Sequence, residues 1–288
     1  MMKVPQAILK ILGTLIILLC LVVIITFAAN TLFAKKVIGE VEALFANHKQ
    51  QEKRVISRAE LTSLPSPVQK WLEYSQLVGK ERISTVRLKQ VGSLRLKEEQ
   101  PWMAEEAEQY FTTVDPGFVW QAKIKPAPVL FIAGRDKYSG GSGNMLIKFL
   151  SLITIADGTG PEIDQGVMLR YLAETVWFPS AALSDYITWE EIDETSAKAT
   201  MSYGGVTASG VFTFNEKGEA VNFNAMRYMD NNGKYSLETW SVSMREYKVF
   251  EGIKIPTKGE LTWKLQSGDF TWFNWEISDI EYNRPMSY

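Results

Sequence analysis

Hydrophobic and polar positions divide the chain into three stretches of different period. The first has no period at all. From Ile11 to Ala34 there are 24 consecutive residues without a charge, rich in Leu, Ile, Val and Phe. Only Gly13, Thr14, Thr26, Asn30 and Thr31 interrupt it. At about 1.5 Å per residue such a helix is about 36 Å long, enough for a hydrocarbon core of about 30 Å. Lys3 and Lys10 precede the run, and Lys35 and Lys36 close it. A cleavable signal has an apolar stretch of about 7–15 residues, and this one is longer. Residues 1–34 are therefore predicted to be a membrane anchor with a short N-tail. Thr26-Phe27-Ala28 is a passable small-x-small cleavage site, so a signal peptide is the alternative. Cys20 follows Leu19, where a lipoprotein signal wants a small residue. Charges near the membrane tie: Lys3, Lys10 and the terminal amine on one side, Lys35, Lys36 and Lys49 on the other. A short tail before a long anchor and a large domain is the layout of a signal anchor. The expected topology puts the N-terminus inside and the body outside.

The second stretch has helical period. Val37, Val41, Leu44 and Phe45 form an apolar stripe, which predicts a juxtamembrane helix within residues 35–56, running to about Lys53. With the anchor ending at residue 34, the rest of the chain is expected to fold as a soluble body. A second helix is predicted near 66–78, with Ser66 as N-cap, Pro67 in the first turn and Gly79 as the stop. A third is predicted near 164–177, with Asp164 as N-cap and Phe178-Pro179 as the end.

The third stretch has period two. Val86, Leu88, Leu94 and Leu96 alternate with Arg87, Lys89, Arg95 and Lys97, with a slip near Gly92 that predicts a bulge. Further strands are expected at 102–113, 118–124 and 129–138. Met145 to Ala156 is apolar and reads equally as strand or helix. From Ile187 onward, strands alternate with turns such as Asn215–Gly218, Asp230–Gly233 and Ser267–Asp269. The fold class is α+β: an N-terminal transmembrane helix, then residues 57–288 as a single β-rich domain with packed helices. Its strands form one large antiparallel sheet or an open barrel.

Composition then removes chemistries. The chain of 288 residues has one Cys and one His, and none of either after His48. No intrachain disulfide exists. A zinc or transition-metal site of the usual ligands is not expected, nor are cysteine nucleophiles or a Ser-His-Asp triad. No metal and no cofactor is predicted. Without residues 1–34 the body carries 29 basic and 33 acidic residues, a net charge of -4, so nucleic acid is not an expected partner.

Several constellations remain. Arg170 and Glu174 stand four apart on one helix face and are placed to pair; the plain alternative is a surface ion pair. Arg135-Asp136 before Gly140-Gly141-Ser142-Gly143-Asn144 fails the phosphate-loop pattern and predicts a hairpin turn. Asp157, Glu162 and Asp164 are acidic but lack EF-hand spacing. Trp102, Tyr110, Trp120 and Trp177 belong to an aromatic set that is either filled core or the wall of an apolar pocket. The candidate ligand-binding residues are Trp102, Tyr110, Trp120, Arg135, Asp136, Arg170, Glu174 and Trp177. No catalytic residue is assigned.

Ala107–Phe111, Pro116–Trp120, Gly134–Asp136, Arg170–Pro179 and Asp279–Asn283 resemble segments of an uncharacterised bacterial family, a domain of unknown function behind one N-terminal membrane segment. The resemblance spans roughly residues 60–285. It implies a lipoprotein-carrier-like half-barrel, a curved antiparallel sheet closed by helices, and with it a lipid or another apolar ligand. It carries no catalytic residue across. The first expected function is a membrane-tethered, non-enzymatic envelope protein binding such a ligand, with residues 11–34 in the membrane. The alternatives are an interaction or scaffolding module with a filled core, its protein partner unspecified, and a carboxylate-based enzyme on glycans using Glu105, Asp136 or Glu174.

Overall fold

The first helix of the computed structural model crosses the boundary between anchor and body without a break. The structure describes residues 6–47, 53–231 and 233–288. Helix α1 spans Gln6–Ala46. The predicted continuation to Lys53 is not all helix: Lys53 and Arg54 have no regular structure, and Val55 is bridged to Glu81. Lys3, His48, Lys49 and Asn232, named above, lie outside the described residues.

The boundary at residue 34 needs correction. Phe33, Val37, Val41 and Phe45 recur every four residues, and all four are buried. They pack on Tyr110, Val119, Ala133 and Leu146 of the sheet. Phe33 is thus part of the domain's own packing, and a cut after Ala34 removes it. We expect Phe33→Ala to cost about 3 kcal/mol of stability. The detergent-solubilised chain should then melt roughly 6–12 °C lower. An unchanged melting temperature would mean that α1 does not dock.

Among the described residues thirteen strands form one antiparallel sheet. They are β1 Thr85–Leu94, β2 Met103–Thr112, β3 Gly117–Ala127, β4 Leu130–Ser139, β5 Ser142–Phe149 and β6 Ile153–Gly158, then β7 Ile187–Asp193, β8 Ser196–Tyr203, β9 Val206–Phe214, β10 Ala220–Asn231, β11 Lys234–Phe250, β12 Ile253–Leu265 and β13 Gly268–Tyr282. Their order is β6-β5-β4-β3-β2-β1-β13-β12-β11-β10-β9-β8-β7. Two meanders are therefore joined where the first strand pairs with the last, Val86 opposite Tyr282. The register slip of β1 falls between Lys89 and Gln90, not at Gly92. The ambiguous Met145–Ala156 segment is the β5–β6 hairpin.

The chain between β6 and β7 must cross from one edge of the sheet to the other. It does so as helix α3, Pro161–Glu174, followed by two 3-10 turns. Its N-cap is Gly160 (φ 114), because Pro161 already starts the helix. Asp164, the expected cap, instead accepts the backbone N–H of Gly143 at 2.6 Å. The helix stops at Glu174, and Thr175–Trp177 tighten into 3-10 geometry. Helix α2 is Ser66–Tyr74, capped by Pro65; the Ser66 N–H goes to Glu191. It ends early because Gln76 turns left-handed at φ 61, leaving Leu77 buried but outside the helix.

The sheet curls around α3 until distant hairpins touch. Gly141 of the β4–β5 turn meets Gly204 of the β8–β9 turn. A Cβ on Gly204 would lie 2.2 Å from the Gly140 carbonyl oxygen, and one on Gly141 2.5 Å from the Gly204 oxygen. Both residues have positive φ, 58 and 85 respectively, so glycine meets a backbone and a packing demand together. Inside the curl, α2, α3 and the 3-10 turns cover a continuous core that includes Trp71, Phe111, Phe118, Phe178, Phe212 and Phe223.

Candidate functional site

Side-chain parity decides what each strand contributes. On β2 the inward residues are Glu105, Ala107, Gln109 and Phe111, and the outward ones include Glu106, Glu108 and Tyr110. On β4 Asp136 points in and Arg135 points out. The inner face thus receives several polar groups at positions where the alternation calls for apolar ones.

They converge on Arg170 of α3. Its Nε lies 2.8 Å from Glu174 and its Nη1 2.7 Å from Asp136. Its Nη2 reaches the Gln109 side-chain oxygen Oε1 at 3.4 Å, and the Gln109 side-chain amide donates in turn to Glu174 at 2.8 Å. The guanidinium lies 4.8 Å from the Trp120 ring centroid and 5.1 Å from that of Phe118. The side chains of Arg170, Asp136 and Glu174 are 16%, 18% and 11% exposed, so the pair read from the sequence is a half-sheltered hub and not a surface pair.

Two ionisable residues near the hub have buried polar atoms without a hydrogen bond of good geometry. Arg227 of β10 has no ion pair among the described residues. It lies over Trp240 at 4.8 Å and Trp263 at 5.9 Å, and its Nε is buried without a hydrogen bond. Burial, then the neighbouring Arg170 charge, lowers its pKa to about 10, against the pull of Asp136 and Glu174. Glu105 is 2% exposed, and neither carboxyl oxygen has a hydrogen bond of good geometry. Burial raises its pKa to about 8, against the pull of Arg170 and the Gln90 amide. It is therefore mostly a neutral acid at pH 7. Burial also raises Asp136 and Glu174, while Arg170 opposes the shift in both. The indole nitrogens of Trp120 and Trp240 are likewise buried without acceptors.

The eight sequence candidates do not form one site. Trp120, Asp136, Arg170 and Glu174 come together on the inner face. Tyr110 and Arg135 lie on the outer face, under α1: Tyr110 packs edge-on to Phe45, and Arg135 Nε is 3.0 Å from Glu40. One residue of offset along a strand puts a side chain on the opposite side of the sheet. Trp177 packs against Trp275 in the core, and Trp102 is 40% exposed beside Arg95. Gln109 and Arg227 were missed. The available signal was parity: Arg227 follows Phe223 and Ala225 at every second position, and Gln109 sits between Ala107 and Phe111. A groove of about 460 Å3 lies on the outer face, between α1 at Asn30, Phe33 and Ala34 and strand residues such as Lys89, Lys123 and Phe131. Among the described residues no cluster of His, Cys, Asp and Glu is placed to hold a metal ion.

Fold and site define an open antiparallel half-barrel with a polar hub on its inner face and an apolar N-terminal helix docked outside. Residues 54–275 match the model of a family of unknown function, DUF6544, and the chain belongs to that family. None of the curated proteins matches it. Three solved structures show a distant likeness. A Vibrio parahaemolyticus domain assigned to outer membrane lipoprotein sorting is 11% identical with a TM-score of 0.40, covering 76% of this chain and 95% of that one. A LolA superfamily protein from Nitrosomonas europaea is 11% identical with a TM-score of 0.42, covering 75% and 94%. A β-barrel-like protein of domain of unknown function DUF1849 from Brucella abortus is 10% identical with a TM-score of 0.20, covering 70% and 100%.

Proposed function

We propose that this is a single-pass, membrane-tethered envelope protein, its body outside the cytoplasm, that holds a lipid or another amphipathic ligand against the inner face of its half-barrel. One observation carries the reading: unsatisfied polar groups stand on an aromatic floor. Arg227 Nε, the protonated Glu105 carboxyl and the indole N–H groups of Trp120 and Trp240 are all buried without hydrogen-bond partners of good geometry, and Arg227 feels Asp136 and Glu174 only at a distance. Buried polar groups without partners are costly, and natural folds rarely retain several in one place without use. A ligand with an anionic or carbonyl-bearing head would accept from Arg227 and the indoles. Its apolar part would lie on the half-buried Trp120, Ile132, Met229 and Leu261, which flank the core.

An interaction module is the second reading. It is favoured by the fully buried rings of Trp71, Phe111, Phe118, Phe178, Phe212 and Phe223, which pack in one core between the sheet and its covering helices. Carboxylate catalysis is less well supported, since Asp136 and Glu174 are both held by Arg170.

Native mass spectrometry of the detergent-extracted full chain separates these. The ligand reading expects an added lipid-sized mass that persists at energies stripping detergent. Bare polypeptide under all conditions would favour the interaction module.

A further inference from the structure

Two neighbouring hairpin tips carry apolar side chains that neither face of the sheet absorbs. The β3–β4 turn reads Pro126-Ala127-Pro128-Val129-Leu130, with Val129 85% and Leu130 38% exposed. The β5–β6 turn reads Leu150-Ser151-Leu152 before Ile153, with Leu152 38% and Ile153 63% exposed. No charge occurs between Lys125 and Arg135, nor between Lys148 and Asp157. The tips are tied together, because the Leu150 N–H donates to the Phe131 carbonyl at 3.0 Å.

Their height along α1 is fixed. The Ser151 hydroxyl lies 3.1 Å from the Asn30 side-chain oxygen. Asn30 is inside the charge-free run, which ends at Ala34 before Lys35 and Lys36. From there α1 leads away with exposed apolar side chains such as Phe27 and Ile24. Its other half climbs the sheet to Phe45 beside Tyr110 and Leu44 beside Gly117, at the opposite end of β2 and β3. The tips are therefore level with the last turns of the apolar run. Four lysines sit just beyond them on the domain side, Lys35 and Lys36 on α1 and Lys123 and Lys148 either side of Ala133 on the strands, while Lys125 is paired with Glu106. Five helical residues from Asn30 to Lys35 rise about 7 Å, the scale of the step from hydrocarbon to headgroups.

We propose that the two tips enter the apolar part of the leaflet that α1 crosses, beside the helix, as a second membrane contact that sets how the domain stands on the bilayer. This rests on reading α1 as membrane-spanning. The occupant is lipid because the tips adjoin the anchor, lack charge, and are collared by cations suited to anionic headgroups.

The test uses the full chain in vesicles of phosphatidylcholine and phosphatidylglycerol, with an environment-sensitive fluorophore on a single cysteine. The native Cys20 reports on α1 itself. Val129→Cys and Ile153→Cys, each with Cys20→Ser, report on the tips. Val249→Cys in the same background is the control: it is 53% exposed near the β11–β12 turn. That turn adjoins the far end of the sheet, where Glu251 accepts from the Tyr282 N–H. Lipids with a nitroxide near the carbonyl end of the acyl chain serve as quencher. Positions 129 and 153 are expected to lose most of their fluorescence, and position 249 almost none. If Cys20 is quenched by acyl-chain nitroxides but 129 and 153 behave like 249, the tip contact is wrong and the anchor stands. If Cys20 is not quenched by them at any depth, the anchor reading fails and the tip contact with it. Blue-shifted emission at 129 and 153 without quenching would mean that a second copy or another protein covers the tips, which also overturns the proposal.

Discussion

Arg170→Met is expected to destabilise the domain by about 3 kcal/mol at pH 7, the low end for breaking a buried ion pair from one side. The low end applies because the three charged side chains retain 11–18% exposure. Arg170 is the only cation hydrogen-bonded to Asp136 and Glu174 among the described residues. Without it two sheltered carboxylates remain, Glu174 still accepting from Gln109, with the more distant Arg227 as the next cation. The sign of the pH dependence follows. Both carboxyls already have raised pKa values, and removing the arginine raises them further. A raised folded pKa favours the protonated state in the fold, so the variant gains stability as pH falls and loses it as pH rises. Urea unfolding should therefore show a deficit at pH 7 that shrinks toward pH 4.5. A deficit below about 1 kcal/mol, the range of exposed surface pairs, would mean that the hub is solvated.

Glu105→Gln is expected to remove a slope from the stability profile. The folded pKa of Glu105 is about 8 against a reference of 4.5. Between these values the native state binds more protons than the unfolded chain. Wild-type stability contributed by this group is then greatest below pH 4.5, falls as pH rises, and levels off above pH 8. At 1.36 kcal/mol per unit the full span is at most about 5 kcal/mol. The amide cannot ionise, so the variant should match the wild type near pH 5 and exceed it at pH 8.5. Packing permits the swap: Gly92 lies opposite, where a Cβ would come within 3.0 Å of the Glu105 carboxylate, and Gln is close in size. Equal pH profiles for the two proteins would show that Glu105 is ionised in the fold at neutral pH, and the neutral-donor role would fall.

Much of this architecture was legible in residue order. The charge-free run, the period-two stretches and Phe178-Pro179 after α3 are local signals, and the structure has elements at each, though α3 starts at Pro161 and not after Asp164. What failed was relational. Nothing local says that Phe33, inside an apolar run, belongs to the domain's packing and not to lipid. Arg135 and Asp136 are adjacent in sequence and read as one motif, yet a strand sends them to opposite faces, one to Glu40 and one to Arg170. The Gly140-Gly141 and Gly204-Gly205 pairs each announce a turn, but only the curl of the sheet brings the turns into contact. The inner hub was partly readable, since Glu105, Gln109, Asp136 and Arg227 each sit where alternation calls for an apolar residue. Reading charge against parity, rather than against neighbours, would have found Arg227.

The central claim is that the inner face, not the outer, holds an amphipathic ligand. A photo-crosslinking amino acid placed at Trp120 inside, or at Tyr110 outside, tests this in the full chain reconstituted with lipid vesicles. Irradiation followed by mass analysis is expected to give a lipid-sized adduct from position 120 and none from position 110. An adduct at 110 alone, or at neither position, would contradict the account.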